Sequence, residues 1–200
     1  TLLFLPFLPL FVKLLEKFVP AKPYKEKPHL TDLDIRILET PLLAIEQSRK
    51  EIEKMGDGCA KMMGWLKTLY SQDDRDHPLA EKLNHRERVL DSVHDEIAIF
   101  ITTLLSGNVP HAAAEEARLQ LRMADEYESV SDYIANLEKF DRKLRDAELR
   151  FTRQQRKDLF ELHELLQQYL QTVNDALKHQ NTDLITMLKM AGKRVRDLLK

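Results

Sequence analysis

Apolar residues recur every three or four positions through most of this chain, and that period constrains the fold more than any other feature. Five such stretches are separated by short segments rich in turn residues. Pro41 suits the first turn of the first stretch, and Thr152 with Gln155 has the spacing of a capping box before the fourth. We find no convincing strand pattern. The sequence therefore predicts an all-α protein, whose five helices begin near Leu38, Pro78, His111, Thr152 and Leu184.

Short turns between long helices favour antiparallel neighbours in an up-down bundle. The first three predicted helices are sufficient to close one bundle, and the remaining two resemble the beginning of another. We therefore predict a first three-helix bundle over residues 34–148. Residues 149–200 are expected to form the start of a second, incomplete bundle.

The first thirty residues differ in composition from the rest. Residues 1–12 read TLLFLPFLPLFV, and lysines follow them rather than precede them, unlike the arrangement in a signal peptide. Lysines beyond a membrane segment mark its cytoplasmic side, but a whole span needs about 20 apolar residues. We expect residues 1–19 to be the end of a last transmembrane helix and residues 20–33 to be a stiff, proline-rich linker. The alternative is an amphipathic or core helix of a soluble protein.

Composition and motifs argue against several functions. A net charge of −2 offers no electrostatic basis for binding nucleic acid. With five glycines, the chain has no glycine-rich phosphate loop, and its seven histidines lack the spacing of a zinc protease. The single cysteine, Cys59, lies on an apolar helical stripe and is interpreted as a packing residue. No nucleophile stands beside a base, so we predict that the chain is not an enzyme.

The third predicted helix carries three carboxylates, Asp125, Glu128 and Asp132, with no Lys or Arg among them. Like charges at this spacing cost a few tenths of a kcal/mol per pair. At about 100° per residue they lie opposite the apolar side of the helix. That apolar side, predicted to face the core, consists of Leu119, Met123, Tyr127, Val130, Ile134 and Leu137.

Two explanations remain open for these carboxylates. They form a solvated helix face, or they bind a cation, because carboxylates one turn apart can share one hard ion. Two carboxylates are too few for a full coordination shell, so a second helix would have to contribute. Helix two offers Glu87, Asp91 and Asp95 at intervals of four, with His94 beside them. A charged edge is the alternative for these residues too, because arginines are close.

Residues 127–137 read YESVSDYIANL, which resembles the signature helix of the PhoU family. Glu128 and Asp132 fall on the family's E-x-x-x-D positions, whereas Ser129 replaces the usual Arg and Ser131 the usual Gly. Residues 84–97, NHRERVLDSVHDEI, resemble the second helix of the family's three-helix unit. The membrane-like start and the ETP at residues 39–41 are similar to bacterial sodium/phosphate cotransporters that carry a PhoU-like domain.

The resemblance implies two three-helix bundles in tandem, with multinuclear metal clusters on their outer surface. It makes Glu128 and Asp132 the candidate metal ligands, with Asp125, Asp91 and Asp95 as helpers, for a cluster of iron, zinc or magnesium. It implies no catalytic residue.

The implied function is that of a cytoplasmic regulatory or accessory domain of a sodium-dependent phosphate transporter (a symporter) at the cell inner membrane. Its partners would be the membrane and the transporter's own transmembrane domain; a homodimer is left open, and nucleic acid is not expected. The alternative is a membrane-tethered helical scaffold or dimerisation module unrelated to phosphate. A di-metal hydrolase or oxidase ranks last, because it would need histidine ligands.

Overall fold

The structure, a computed structural model, describes residues 30–72, 77–179 and 192–193. These parts of the chain are helical and contain no strand, which confirms the predicted all-α class. A short 3-10 helix precedes four α-helices. The 3-10 helix is Ile35–Glu39, and the α-helices are α1 Pro41–Ser71, α2 His77–Leu105, α3 His111–Asp146 and α4 Arg153–His179.

Several predictions lie outside the described residues. They are the end of a transmembrane helix at 1–19, most of the linker at 20–33, and nearly all of the fifth helix. Among the helices that are described, none has the length and apolarity needed to span a bilayer. The membrane segment at 1–19 therefore stays a prediction.

Helices α1, α2 and α3 form an up-down bundle. Hydrogen bonds from Ser48 to Gln120 and from Tyr70 to the Leu137 carbonyl show that α3 runs parallel to α1. Helix α2 is antiparallel to both. Large side chains of α1 and α2 dominate the core, where Ile52, Met55, Met62, Leu66, Leu83, Ile97, Ile101 and Leu104 are almost completely buried.

Helix α3 enters this core largely through small residues, which differs from the prediction. Its buried positions include Ala113, Ala117, Ala124, Ser131 and Ala135. Small side chains let two helices approach closely, and α1 and α2 already supply the volume that fills the interior.

The apolar face predicted for α3 is therefore only partly in the core. Tyr127 and Ile134 are buried, but Leu119 is 53% exposed and Leu137 is 41% exposed. The prediction was wrong for these two leucines, because mainly smaller side chains occupy the buried positions of α3.

The capping box predicted before α4 is present. The Thr152 amide donates to the Gln155 side chain at 3.0 Å, and the Gln155 amide donates to the Thr152 hydroxyl at 3.2 Å. Helix α4 then packs antiparallel on α1, with ion pairs near its two ends: Lys67–Glu164 and Asp57–Lys178. The helix expected to open a second bundle thus contacts the first one directly.

The chain is fixed to the bundle before the first helix begins. The Glu96 carboxylate on α2 accepts hydrogen bonds from the amides of Leu30 and Thr31 and from the Thr31 hydroxyl, at 2.6–3.2 Å. On α1, Glu51 accepts from the Asp32 amide at 3.2 Å. Side chains of both helices therefore hold the last residues of the predicted linker, Leu30 to Asp32.

Candidate functional site

The predicted acidic residues lie along the outer face where α2 and α3 meet. The imidazole of His94 on α2 donates from Nε2 to the Asp125 carboxylate on α3, at 2.8 Å. The other ring nitrogen is 3.8 Å from Asp95 Oδ1. The structure thus places two of the five predicted residues on either side of one histidine.

Because α2 and α3 are antiparallel, the other three predicted metal ligands also lie on this outer face. One turn from His94 along α2 lies Asp91, and one turn from Asp125 along α3 lies Glu128, with Asp132 in the following turn. Asp91 precedes His94 on α2, whereas Glu128 follows Asp125 on α3. Because the two helices run in opposite directions, Asp91 and Glu128 are displaced from the His94–Asp125 pair towards the same end of the bundle. Asp91 is exposed, and Glu128 and Asp132 are half-buried.

Basic side chains do not neutralise this face within the described parts of the chain. No ion pair there joins Asp91, Glu128 or Asp132 to a Lys or Arg. Elsewhere on the bundle carboxylates do have such partners; Arg49, for example, bridges α1 and α3 through Glu116. We name the five residues Asp91, Asp95, Asp125, Glu128 and Asp132 the acidic seam.

The acidic seam offers the right donor type for a hard cation but not a closed coordination shell. Carboxylate oxygens suit magnesium, calcium or ferric ions. However, among the residues that the structure describes, no three His, Cys, Asp or Glu side chains converge closely enough to hold one ion. The carboxylates of the acidic seam, as placed, do not form an enclosed coordination site. The metal assignment therefore stays a prediction.

Sequence reasoning missed a groove of about 580 Å³ between α3 and α4. Met63 of α1 lies at its floor, Val130 and Leu137 of α3 form one wall, and Leu166 and Leu170 of α4 form the other. The signal was present in the sequence as the apolar periodicity of α3. The helical period shows which residues of α3 share a face, but it does not show which helix covers that face. The sequence therefore predicts that this apolar face lies in the core.

A buried polar junction closes the floor at one end of this groove. The Tyr127 hydroxyl donates to Asn174 Oδ1 at 2.7 Å, and Asn174 Nδ2 donates to the Gly56 carbonyl at 2.9 Å. Burial, followed by the nearby Cys59 thiol, raises the pKa of the Tyr127 phenol, which keeps it a neutral donor. The junction thus joins one residue from each of α1, α3 and α4, and no sequence motif predicts it.

Comparison with known families supports the resemblance drawn from the signature helix. Residues 52–139 match the family model described as the PhoU domain. No curated protein and no solved structure gives a significant match to the chain. The matched residues include most of α1, all of α2, most of α3 and the whole acidic seam. Residues 52–139 of this chain are therefore similar to the PhoU domain, a helical bundle.

Proposed function

We propose that this chain is the regulatory domain of a sodium-dependent phosphate transporter, located on the cytoplasmic side of the inner membrane. The observation that carries the proposal is the PhoU domain at residues 52–139, which indicates a phosphate-related, regulatory and non-catalytic helical domain. The link to a transporter is supported by the apolar residues 1–12 and the lysines that follow them.

The contacts of α2 suggest how such a domain would communicate with a membrane domain. His94, Asp95 and Glu96 are consecutive on this helix. The first two face the acidic seam, while Glu96 holds the backbone of Leu30 and Thr31. A change in the seam that shifts α2 against α3 would therefore act on the residues that lead towards the predicted membrane segment.

A cation at the acidic seam is the second part of the proposal. The lack of neutralising Lys or Arg partners at Asp91, Glu128 and Asp132 supports it, since the charge repulsion of three such carboxylates would be relieved by a bound ion. Their side chains would supply some ligands and water the others. A bound cation would supply positive charge that draws α2 and α3 together.

Replacing both signature carboxylates, Glu128→Gln with Asp132→Asn, should remove most of the bound metal and leave the fold intact. The matched control is Asp158→Asn with Glu161→Gln, which makes the same charge change on exposed positions of α4. Metal content is measured by mass spectrometry after incubation with ferric, zinc or magnesium ions, and helicity by circular dichroism. Equal metal content in both double variants would show that the seam is not a metal site.

Glu96→Gln should alter sodium-dependent phosphate uptake by the full-length protein, because a neutral amide accepts hydrogen bonds from the three donor groups of Leu30 and Thr31 more weakly than a carboxylate does. Uptake of labelled phosphate is followed in cells or vesicles, with and without sodium. The control is Glu81→Gln at an exposed position of α2. If the full-length protein moves no phosphate, the alternative of a membrane-tethered scaffold is favoured; if it moves phosphate but Glu96→Gln behaves as wild type, the coupling through α2 is refuted.

A further inference from the structure

Helix α4 is held on the bundle mainly through one neighbour. Among the described helices, only α1 lies in close backbone contact with α4, and the groove lies between α4 and α3. Three residues of α4 are buried, His163, Leu170 and Asn174, and two of these are polar. Most of the large apolar side chains that fill the core belong to α1 and α2. Helix α4 can therefore separate from α1 while the core of the three-helix bundle stays closed.

The imidazole of His163 is the unusual group in the contact between α4 and α1. It is 4% exposed, and within the described parts of the chain its Nε2 atom has no hydrogen-bond partner. One turn further along α4, the buried Oε1 atom of Gln167 has no partner there either. By contrast, the side chain of Asn174 both donates and accepts a hydrogen bond. A proton on His163 would thus add a charge at a buried nitrogen without a partner, and burying an unpaired charge is costly.

The charged groups next to His163 do not reverse this cost. Lys67 of α1 and Glu164 of α4 form an ion pair, and no charged group of α2 or α3 among the described residues acts on the ring. Burial, followed by the Lys67 ammonium, lowers the pKa of His163. The Glu164 carboxylate and a hydrogen bond with the Met63 backbone oppose this shift without cancelling it. A proton therefore binds His163 more tightly when α4 is away from α1 than when it is packed there.

We propose that α4 is a pH-sensitive element, which protonation of His163 releases from α1. The neutral ring stabilises the packed state fully above about pH 6.5, the ordinary pKa of histidine. This stabilisation is lost as the pH falls from there towards the lower pKa of the packed state. Release uncovers the surface of α1 that includes Gly56 and Met63, whose backbones now bond α4. The inference goes beyond the proposed function, because it requires neither phosphate transport nor a metal.

Hydrogen exchange in the full chain tests the release of α4. Amide protection factors, which correct for the effect of pH on chemical exchange, are measured by mass spectrometry at about pH 7.5 and about pH 5.5, on either side of the histidine pKa. A released helix loses protection, because isolated helices are only marginally stable in water. Protection of α4 should be lower than that of the core amides of α1 and α2. It should fall by up to about tenfold at the lower pH, the limit for a ring that titrates near pH 6.5 when released.

Two variants show whether His163 is the group that titrates. His163→Gln cannot be protonated in this range, so the protection of α4 should be equal at both pH values. His163→Leu should give the same result, and it replaces the glutamine variant if the latter weakens the packing of α4. The matched control is His85→Gln at an exposed position of α2, which should keep the fall seen in the wild type.

Several outcomes would overturn the proposal. One is a protection of α4 that does not change with pH in the wild type, and another is a fall that persists in both His163 variants. Equal protection of α4 and of the core would mean that α4 opens only when the whole protein unfolds. Greater protection of α4 at the lower pH would mean that the protonated ring donates to a buried acceptor such as Gln167 Oε1, and that α4 is held rather than released.

Discussion

Replacing Arg145 by Met should lower the free energy of unfolding by roughly 1.5–3 kcal/mol, the range for hydrogen bonds that involve a charged group. The guanidinium of Arg145 lies near the end of α3 and donates from Nε to Asp141 Oδ2 at 2.7 Å. The two side chains are only 11% and 14% exposed. Without Arg145, the Asp141 carboxylate would stay poorly hydrated and lose this cationic partner.

The same guanidinium also binds the end of another helix. It donates to the carbonyls of Leu69 and Gln72 at 2.9 and 3.0 Å, where α1 finishes. The last carbonyls of a helix lack donors within the helix, and a positive charge there is favoured by the helix dipole. Arg145 thus joins the ends of α1 and α3, and a methionine of similar length would keep the packing but supply no donor.

The measurement is chemical denaturation followed by circular dichroism. Arg118→Met is the matched control, because Arg118 pairs with Glu115 three residues away on the same helix and both side chains are more than half exposed. Exposed pairs of this kind contribute about 0–1 kcal/mol. If the two methionine variants lose equal stability, Arg145 does not bind the end of α1 in the way that the structure shows.

Two glycines of α1 should respond in opposite directions to alanine. A Cβ at Gly56 would lie 2.7 Å from Asn174 Oδ1 and 2.9 Å from the Tyr127 hydroxyl oxygen. A Cβ at Gly64 would meet nothing within 4 Å. Gly56→Ala should therefore destabilise the protein by about 1–3 kcal/mol, as overpacking does, while Gly64→Ala should stabilise it by roughly 0.5–1 kcal/mol, since alanine is the better helix former.

The physical reason for the difference is the buried junction at Gly56. A methyl group there pushes apart Tyr127 and Asn174, whose hydrogen bonds connect α4 to α1 and α3. The unfolding midpoints of both variants are compared with the wild type in urea. Stabilisation by Gly56→Ala would mean that α4 does not pack as closely on α1 as the structure shows.

Local patterns were sufficient for the helices themselves. The helical period, the turn residues at 106–110 and the Thr152–Gln155 capping box predicted the four described α-helices, because each signal involves neighbours along the chain. The outward position of Asp125 and the PhoU resemblance of residues 127–137 were likewise readable from the sequence. Each of these features depends on contacts or spacing within a few turns.

Only the tertiary structure decided which surfaces meet. It placed the small residues of α3 in the core and left Leu119 and Leu137 outside it, it set His94 against Asp125, and it brought Arg145 to the carbonyls at the end of α1. A helical pattern gives the angle of each face around its own axis. The partner of that face depends on how closely two backbones can approach and on the register between distant segments, which no local spacing encodes.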